Sequence, residues 1–225
     1  GFNIVENVKN ITKYSMQVNN PNNIRYYIEK AIFFSKEGRP GPVWLDIPTD
    51  VQSAVINPSK LKCFRFKSNT FFHKKNFHKI DKFFNFLNMS KKPIIVFGQG
   101  IRNSKAINEF KLFLKKYKLP SISARMAVDI LPYTNPYYFG LGGMRGHRYA
   151  EKILKEADLV IALGTSYTHA FAGHDYNYYN PKAKLIMINI DSSELTKPSL
   201  NVDLSIVIDV RNFLNVLNKD KRANK

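Results

Sequence analysis

The sequence predicts an α/β fold in which a doubly wound parallel sheet is preceded by a smaller α/β segment. Continuous apolar runs at residues 93–97 and 159–163 are typical of strands buried on both faces of a parallel sheet. Segments with helical spacing alternate with these runs, as crossovers between parallel strands require. We therefore expect a Rossmann-like arrangement, with any binding site at the carboxyl ends of the strands.

The first segment contains a helix and a strand joined by a tight turn. Residues 24–37 carry apolar side chains at helical spacing. Gly38 can take the positive φ that ends a helix, and the prolines that follow it forbid further helix. Residues 43–47 then form a short apolar strand, which Pro48 ends.

A linker and a second domain follow. Residues 53–76 have no clean period and are rich in charge, so we predict an interdomain linker there. The second domain begins at residue 77, with an amphipathic helix at 78–87 and the buried strand at 93–97. The remaining predicted elements are a helix at 105–116, a strand at 121–124, a helix at 146–156, strands at 159–163, 184–190 and 204–208, and a helix at 210–217.

Length and composition exclude several classes of protein. The chain has 225 residues, 44% hydrophobic and 13% aromatic, which suffices for a packed core in one or two domains. There is no run of about 18 apolar residues and no secretory signal pattern, so we expect a cytoplasmic protein without a membrane partner. The single cysteine, Cys63, cannot form an internal disulfide. Because His147, His169 and His174 lack the spacing of a helix-borne zinc site, we predict no metal site.

The formal net charge of +18 is the feature that most favours nucleic-acid binding. The positive residues are spread along the whole chain, however, and neither zinc-finger spacing nor an RNP-like strand accompanies them. Residues 60–82 interleave basic and aromatic side chains, which can clamp a single strand, but a solvated linker that packs its rings on neighbouring domains is the simpler explanation. We therefore expect no nucleic-acid partner.

A Gly-Gln-Gly turn follows the first strand of the second domain. Gly98 and Gly100 supply two glycines of a dinucleotide fingerprint, which allow backbone N–H groups to approach a phosphate. The third glycine is missing, and Ser104 is suited to cap the next helix. A plain strand-to-helix turn is therefore the alternative.

A glycine-rich loop at residues 140–147 is a second candidate for cofactor binding. It can present N–H donors and a guanidinium together, which suits a diphosphate or the edge of a flavin. As an alternative, its glycines only let the loop pass close to the sheet. The candidate ligand-binding residues are Gly143, Met144, Arg145 and Gly146.

Polar residues follow two later strands. Thr165 comes after the strand at 159–163, and Asn189 and Asp191 lie at the end of the next one. An amide or acidic side chain at such a place commonly meets a ribose hydroxyl. Asp191 also has capping-box spacing with Glu194, so helix capping is an equal alternative.

The turn and strand at residues 38–52 carry a family resemblance. They read Gly-Arg-Pro-Gly-Pro-Val-Trp-Leu-Asp-Ile-Pro-Thr-Asp-Val-Gln. This run resembles the end of the pyrimidine-binding domain in thiamine-diphosphate-dependent enzymes of the acetolactate synthase type. The resemblance implies that residues 1–52 are the C-terminal part of that domain, 53–76 a linker, and 77–225 the family's central domain.

The resemblance also implies a reaction, in which a carbon–carbon bond of a 2-oxo acid is cleaved or formed with thiamine diphosphate and Mg²⁺. The family's acidic residue for the aminopyrimidine and its Gly-Asp-Gly segment for the metal are absent from this sequence. We therefore expect both cofactors in the intact enzyme outside this chain, and we assign no catalytic residue. The chain would then be an internal fragment or a degenerate remnant, inactive by itself. Since relatives build active sites across dimers, we expect a homodimer or homotetramer of the intact protein.

The glycine-rich loop occupies the place that lies against FAD in flavin-containing relatives, with Arg145 in place of the usual His. Where those relatives supply Arg and Asp residues to the cofactor, this chain has Ser166, Thr168 and Ala170. These side chains cannot replace the bidentate contacts of Arg with phosphate. The alternatives are therefore a module that binds FAD or another nucleotide, and a purely structural α/β module.

Overall fold

The computed structural model describes residues 2–66, 77–173 and 182–224. The chain divides into two compact units, residues 1–71 and residues 72–225. Within the described ranges, no helix combines the length and the apolar character needed to cross a membrane.

The first unit is built around two parallel strands and the helix that connects them. After α1 (Ile4–Val8), β1 (Tyr14–Gln17) leads into α2 (Ile24–Lys36), and β2 (Val43–Asp46) returns to pair with β1. The helix α3 (Thr49–Ser53) and 3-10 turns at Pro21–Asn23 and Pro58–Lys60 complete the unit. The predicted turn is confirmed, since Gly38 takes a φ of 59° just after α2.

Part of the segment predicted as a linker packs on α2. The backbone N–H of Phe64 donates to Glu29 Oε2 at 2.7 Å. The ring of Phe66 lies 4.1 Å from that of Phe33, measured between centroids. These contacts hold the described part of the segment on the first unit, whereas residues 67–76 lie outside the described ranges.

The second unit contains the predicted parallel sheet. Its strands are β3 (Pro93–Phe97), β4 (Ser121–Ser123), β5 (Tyr138–Leu141), β6 (Leu159–Leu163), β7 (Lys184–Asn189) and β8 (Leu204–Val207). They lie in the order β5-β4-β3-β6-β7-β8, and every pairing is parallel. The order reverses between β3 and β6, so the carboxyl ends of these two strands flank the crevice where doubly wound sheets bind ligands.

Helices cover both faces of this sheet. They are α4 (Phe77–Met89), α5 (Gly100–Asn103), α6 (Ile107–Tyr117), α7 (Arg148–Glu156), α8 (His169–Ala172), α9 (Ser192–Leu195) and α10 (Val210–Lys219), with 3-10 turns at Arg125–Ala127 and Lys221–Asn224. Along β3, Ile95 and Phe97 belong to one buried cluster, while Ile94 and Val96 belong to another. Burial on both faces explains why β3 is apolar throughout.

The predicted helix at residues 105–116 is wrong at its start. Lys105 has a φ of 54°, a conformation that a right-handed helix cannot contain, so α5 ends before this residue and α6 begins only at Ile107. Ser104 Oγ donates to the carbonyl of Gly100 at 2.7 Å and closes α5. The prediction that Ser104 caps the next helix is therefore wrong, because Ala106 occupies the N-cap of α6.

The edge strand β5 has no counterpart in the sequence prediction. It contains Gly140, which takes a φ of 87°, so the apolar alternation of a strand is interrupted. The following helix also begins later than the predicted residue 146. The N–H of Gly146 donates to the carbonyl of Gly143 at 2.7 Å, and this turn delays the helix until Arg148.

Candidate functional site

Four loops meet at the carboxyl edge of the parallel sheet, and each is named here after the preceding strand. They are the β3 loop (residues 98–104), the β5 loop (142–147), the β6 loop (164–173) and the β7 loop (189–195, which includes Asn189, the last residue of β7). The β6 loop contacts each of the other three. The predicted site residues are therefore brought into one continuous region of the second unit.

Gly98 and Gly100 allow the β3 loop to approach the β6 loop. Their N–H groups donate to the carbonyls of Leu163 and Gly164, at 3.0 and 2.8 Å. A Cβ on Gly98 would lie 2.5 Å from the Gly164 carbonyl oxygen, and one on Gly100 would lie 2.7 Å from it. Because both N–H groups already have acceptors, these glycines serve the contact between the two loops and offer a ligand no free donor.

The β5 loop is folded against the β6 loop. The N–H of Met144 donates to the carbonyl of Phe171 at 3.2 Å. Gly143 takes a φ of 97°, and a Cβ there would lie 3.1 Å from Phe171 Cα. The glycines thus permit close approach to a neighbouring segment, which is the alternative that the sequence left open.

Arg145 lies at the exposed tip of the β5 loop. Within the described part of the chain, its side chain forms no hydrogen bond, ion pair or ring contact. Met144 beside it is 60% exposed. A guanidinium without a carboxylate partner can bind an anion without first breaking an ion pair.

His147 fixes the base of the β5 loop. Its Nδ1 accepts the N–H of Leu141 at 3.2 Å, and its own backbone N–H donates to the Leu141 carbonyl at 2.7 Å. The imidazole stacks on Tyr149 with 5.3 Å between centroids. A Cβ on Gly140 would meet this ring at 2.3 Å. His147, which the sequence analysis considered only as a metal ligand, therefore holds the loop through packing and hydrogen bonds.

The β6 loop is held by buried side chains. Thr165 is 6% exposed, and its Oγ1 accepts the N–H of Tyr167 at 3.3 Å. The ring of Tyr167 lies 5.1 Å from that of Phe171. Desolvation by burial raises the pKa of Tyr167 far above its usual range, so the phenol stays neutral. These contacts position the loop rather than offer reactive groups.

Lys197 and Glu194 support the same loop, and the sequence analysis missed their pairing. Lys197 Nζ donates to the carbonyl of Ser166 at 3.0 Å and forms an ion pair with the Glu194 carboxylate. Glu194 is only 6% exposed. The Glu-x-x-Lys spacing is the signal that could have identified the ion pair between Glu194 and Lys197.

Asn189 joins the end of β7 to the β6 loop. Its amide N–H donates to the carbonyl of Thr165 at 3.2 Å, and its Oδ1 accepts the N–H of Asp191 at 3.0 Å. The Asp191 carboxylate accepts the N–H of Ser193 at 3.0 Å, which confirms that Asp191 caps α9. Contact of either residue with a ribose hydroxyl stays a prediction.

Three uncharged residues occupy the places where flavin-containing relatives have Arg and Asp. Ser166, Thr168 and Ala170 all lie in the β6 loop, Ala170 within α8. His174 lies outside the described residues. Among the residues that are described, no group of three or more His, Cys, Asp and Glu side chains is placed to hold a metal ion.

Comparison with known proteins agrees with this architecture. The family described as "Thiamine pyrophosphate enzyme, central domain" matches residues 80–217, which include every strand of the parallel sheet. The chain is 31% identical to the acetolactate synthase large subunit of Corynebacterium glutamicum, over 96% of this chain and 34% of that protein. It is 32% identical to a probable acetolactate synthase large subunit of Methanocaldococcus jannaschii, over 91% and 35%.

A third relative is the acetolactate synthase isozyme 1 large subunit of Escherichia coli. It is 33% identical, over 83% of this chain and 32% of that protein. The chain therefore spans about a third of the length of the curated relatives it matches.

Proposed function

The chain belongs to the thiamine-diphosphate-dependent enzymes of the acetolactate synthase type, and from this premise we propose that the intact protein cleaves or forms a carbon–carbon bond of a 2-oxo acid. The observation that carries the proposal is the match of the family's central domain to residues 80–217. The complete doubly wound sheet lies within these residues. We assign the intact protein to the transferases or lyases of this family.

The role of the described domain in that enzyme is support and ligand positioning. The sequence contains no Gly-Asp pair, so the segment that would hold Mg²⁺ and the diphosphate lies outside this chain. Thiamine diphosphate supplies a stabilised carbanion when it is bound to such enzymes. The residues present here would position neighbouring parts of the enzyme and bind any further cofactor at the carboxyl edge.

The isolated chain is expected to be catalytically inactive. The test is consumption of pyruvate by the purified chain, in the presence of thiamine diphosphate and MgCl₂. We expect no turnover above a blank without protein. Turnover that depends on thiamine diphosphate would contradict the assignment of the cofactor site to another part of the protein.

The intact protein is proposed to be a cytoplasmic homodimer or homotetramer. The support for this is the family, whose active sites are built across subunits. Light scattering on the intact protein would show a mass of two or four subunits, and a monomer would contradict the proposal.

A second candidate function is binding of FAD or another adenine nucleotide at the carboxyl edge. Two observations favour it: the reversal of strand order between β3 and β6, and the guanidinium of Arg145, which has no partner among the residues that the structure describes. The occupied N–H groups of Gly98 and Gly100 limit the contacts with phosphate to other donors. The proposed contact residues are Gly98, Gly100, Gly143, Met144, Arg145, Gly146, Thr165, Asn189 and Asp191.

Arg145→Ala tests this second candidate. Loss of a charge-assisted phosphate contact costs about 1.5–3 kcal/mol, so the affinity for FAD or ADP should fall about tenfold to a hundredfold. The matched control is Arg148→Ala, which removes a nearby exposed guanidinium at the start of α7. An absorbance scan of the intact protein comes first. A colourless protein that takes up neither FAD nor ADP would leave the domain as a structural module.

A further inference from the structure

A concave region lies at the edge of the parallel sheet opposite the candidate site. A cleft of about 390 Å³ opens at the amino ends of β3 and β4, beside the last turn of α7. Small-molecule sites begin at about 300 Å³. Because the four loops lie at the carboxyl ends of the strands, this amino-edge cleft is separate from the candidate site.

Two anchored turns place lysines at the rim of the amino-edge cleft. The carboxylate of Asp158 accepts the backbone N–H groups of Lys91 and Lys92, at 2.8 and 3.0 Å. Lys118 ends α6 in the left-handed conformation, with a φ of 52°, and its N–H donates to the Leu114 carbonyl at 2.8 Å. The backbone under each lysine is therefore fixed before any ligand arrives.

The charges at the rim are only partly compensated. Lys92 pairs with Glu156 at 3.3 Å. The ammonium groups of Lys91 and Lys118 make no hydrogen bond, ion pair or ring contact within the ranges that the structure describes. The carboxylate of Asp158 is engaged by the N–H groups of the turn, so two lysines remain available for an anion.

The walls of the amino-edge cleft are apolar. Leu119 is 7% exposed and Ile94 is fully buried, while Ile153 of α7 is half-buried. Prolines at the starts of β3 and β4 line the remainder. Since proline lacks an N–H, these walls offer few polar groups to a ligand.

We propose that the amino-edge cleft binds a small organic anion with an apolar body. Lys91 and Lys118 would meet the anionic group, and Leu119 and Ile153 would contact the body. Apolar contact supplies most of the affinity of such sites, while a few charged groups supply orientation and specificity. A purely hydrophilic anion would lack the apolar contact with the walls, and a neutral apolar compound would lack the interaction with the lysines.

The probe is anilinonaphthalene sulfonate, whose fluorescence rises when its rings leave water. We expect saturable binding to the chain, weakened by added salt because the lysines are exposed to solvent. Lys91→Ala combined with Lys118→Gly should weaken the affinity about threefold to tenfold. Glycine is favoured in the left-handed conformation of residue 118, so this variant is expected to keep the fold.

Two controls distinguish recognition of the negative charge of the probe from non-specific binding of an apolar compound. Lys111→Ala combined with Lys115→Ala removes the same charge from exposed positions on α6 and should leave the affinity unchanged. Phenylnaphthylamine, a neutral analogue of the probe, should bind equally to the unsubstituted chain and to the Lys91/Lys118 variant. Absence of sulfonate binding, or equal sulfonate affinity for that variant and the unsubstituted chain, would overturn the proposal.

Discussion

At the residue scale, the glycines of the β3 loop serve a contact between two loops. The close approach of Gly98 and Gly100 to Gly164 leaves no space for a Cβ at either position. The sequence shows that these glycines are present. It does not show what approaches them, because a neighbouring loop and a bound phosphate both require a residue without a Cβ. This is why the candidate residues could be predicted, whereas their contacts within the protein could not.

Gly98→Ala is expected to destabilise the second unit by about 1–3 kcal/mol, the usual cost of overpacking. The new Cβ would lie 2.5 Å from the carbonyl oxygen of Gly164 and 2.6 Å from Thr165 Cβ. Urea unfolding followed by circular dichroism measures the change.

The contrasting variant is Gly38→Ala, where no atom lies within 4 Å of the new Cβ. Only its positive φ opposes that substitution, at a cost of about 1 kcal/mol. A Gly98→Ala chain as stable as the unsubstituted chain would show that the two loops are not in close contact.

Arg145 and Lys197 show the two limits of sequence analysis at this scale. Arg145 could be singled out because a cation among glycines is conspicuous. The contact of Lys197 with the β6 loop depends on the fold, since residues 166 and 197 meet only after β7 has paired with β6. Long-range contacts of this kind leave no local pattern to detect.

At the element scale, the strands buried on both faces were the most predictable part of the molecule. β3 and β6 have the predicted bounds because their apolar runs end at Gly98 and Gly164. β5 could not be predicted, because it lies at the sheet edge and contains a glycine with positive φ. The division between α5 and α6 likewise depends on the left-handed conformation of Lys105, a residue type that normally favours helix.

The turn between α4 and β3 makes a prediction about acid stability. Desolvation opposes the charged form of Asp158, but the hydroxyl of Ser90 and the N–H groups of Lys91 and Lys92 outweigh it and lower its pKa. A carboxyl whose pKa is lower in the folded state adds stability above its unfolded pKa. That contribution is lost as the pH falls through the folded value.

Asp158→Asn should therefore reduce stability at neutral pH and flatten the decline of the unfolding free energy below about pH 4. The comparison is Asp129→Asn. The pKa of Asp129 is also lowered, by the side chain of Arg102, but its carboxylate is 67% exposed and solvent screens the pair. Unfolding curves measured across the acid range should change more for Asp158 than for Asp129. The opposite ranking would contradict the account of this turn.

At the scale of the whole molecule, the fold class and the family could be recognised from the sequence, while the strand order could not. Alternating strands and helices predict a doubly wound sheet, but several strand orders satisfy that pattern. The observed order places β3 and β6 together at the centre and so decides which loops become neighbours. The site therefore follows from the topology as much as from its motifs.

Two segments of the chain correspond to consecutive domains of the family. The turn and strand at residues 38–52 resemble the end of one domain, and residues 80–217 match the next. Neither contains the metal-binding segment of the family. We propose that this chain supplies a supporting domain to a thiamine-diphosphate-dependent enzyme whose cofactor is held elsewhere in the protein.

The most direct test compares the complete product of the gene with the chain described here. Binding of thiamine diphosphate with Mg²⁺ is measured by calorimetry for both proteins, and consumption of pyruvate is followed in the same buffer. We predict that the complete product binds the cofactor and consumes the 2-oxo acid, while the shorter chain does neither. Failure of the complete product to bind thiamine diphosphate, or cofactor-dependent turnover by the shorter chain, would contradict the claim.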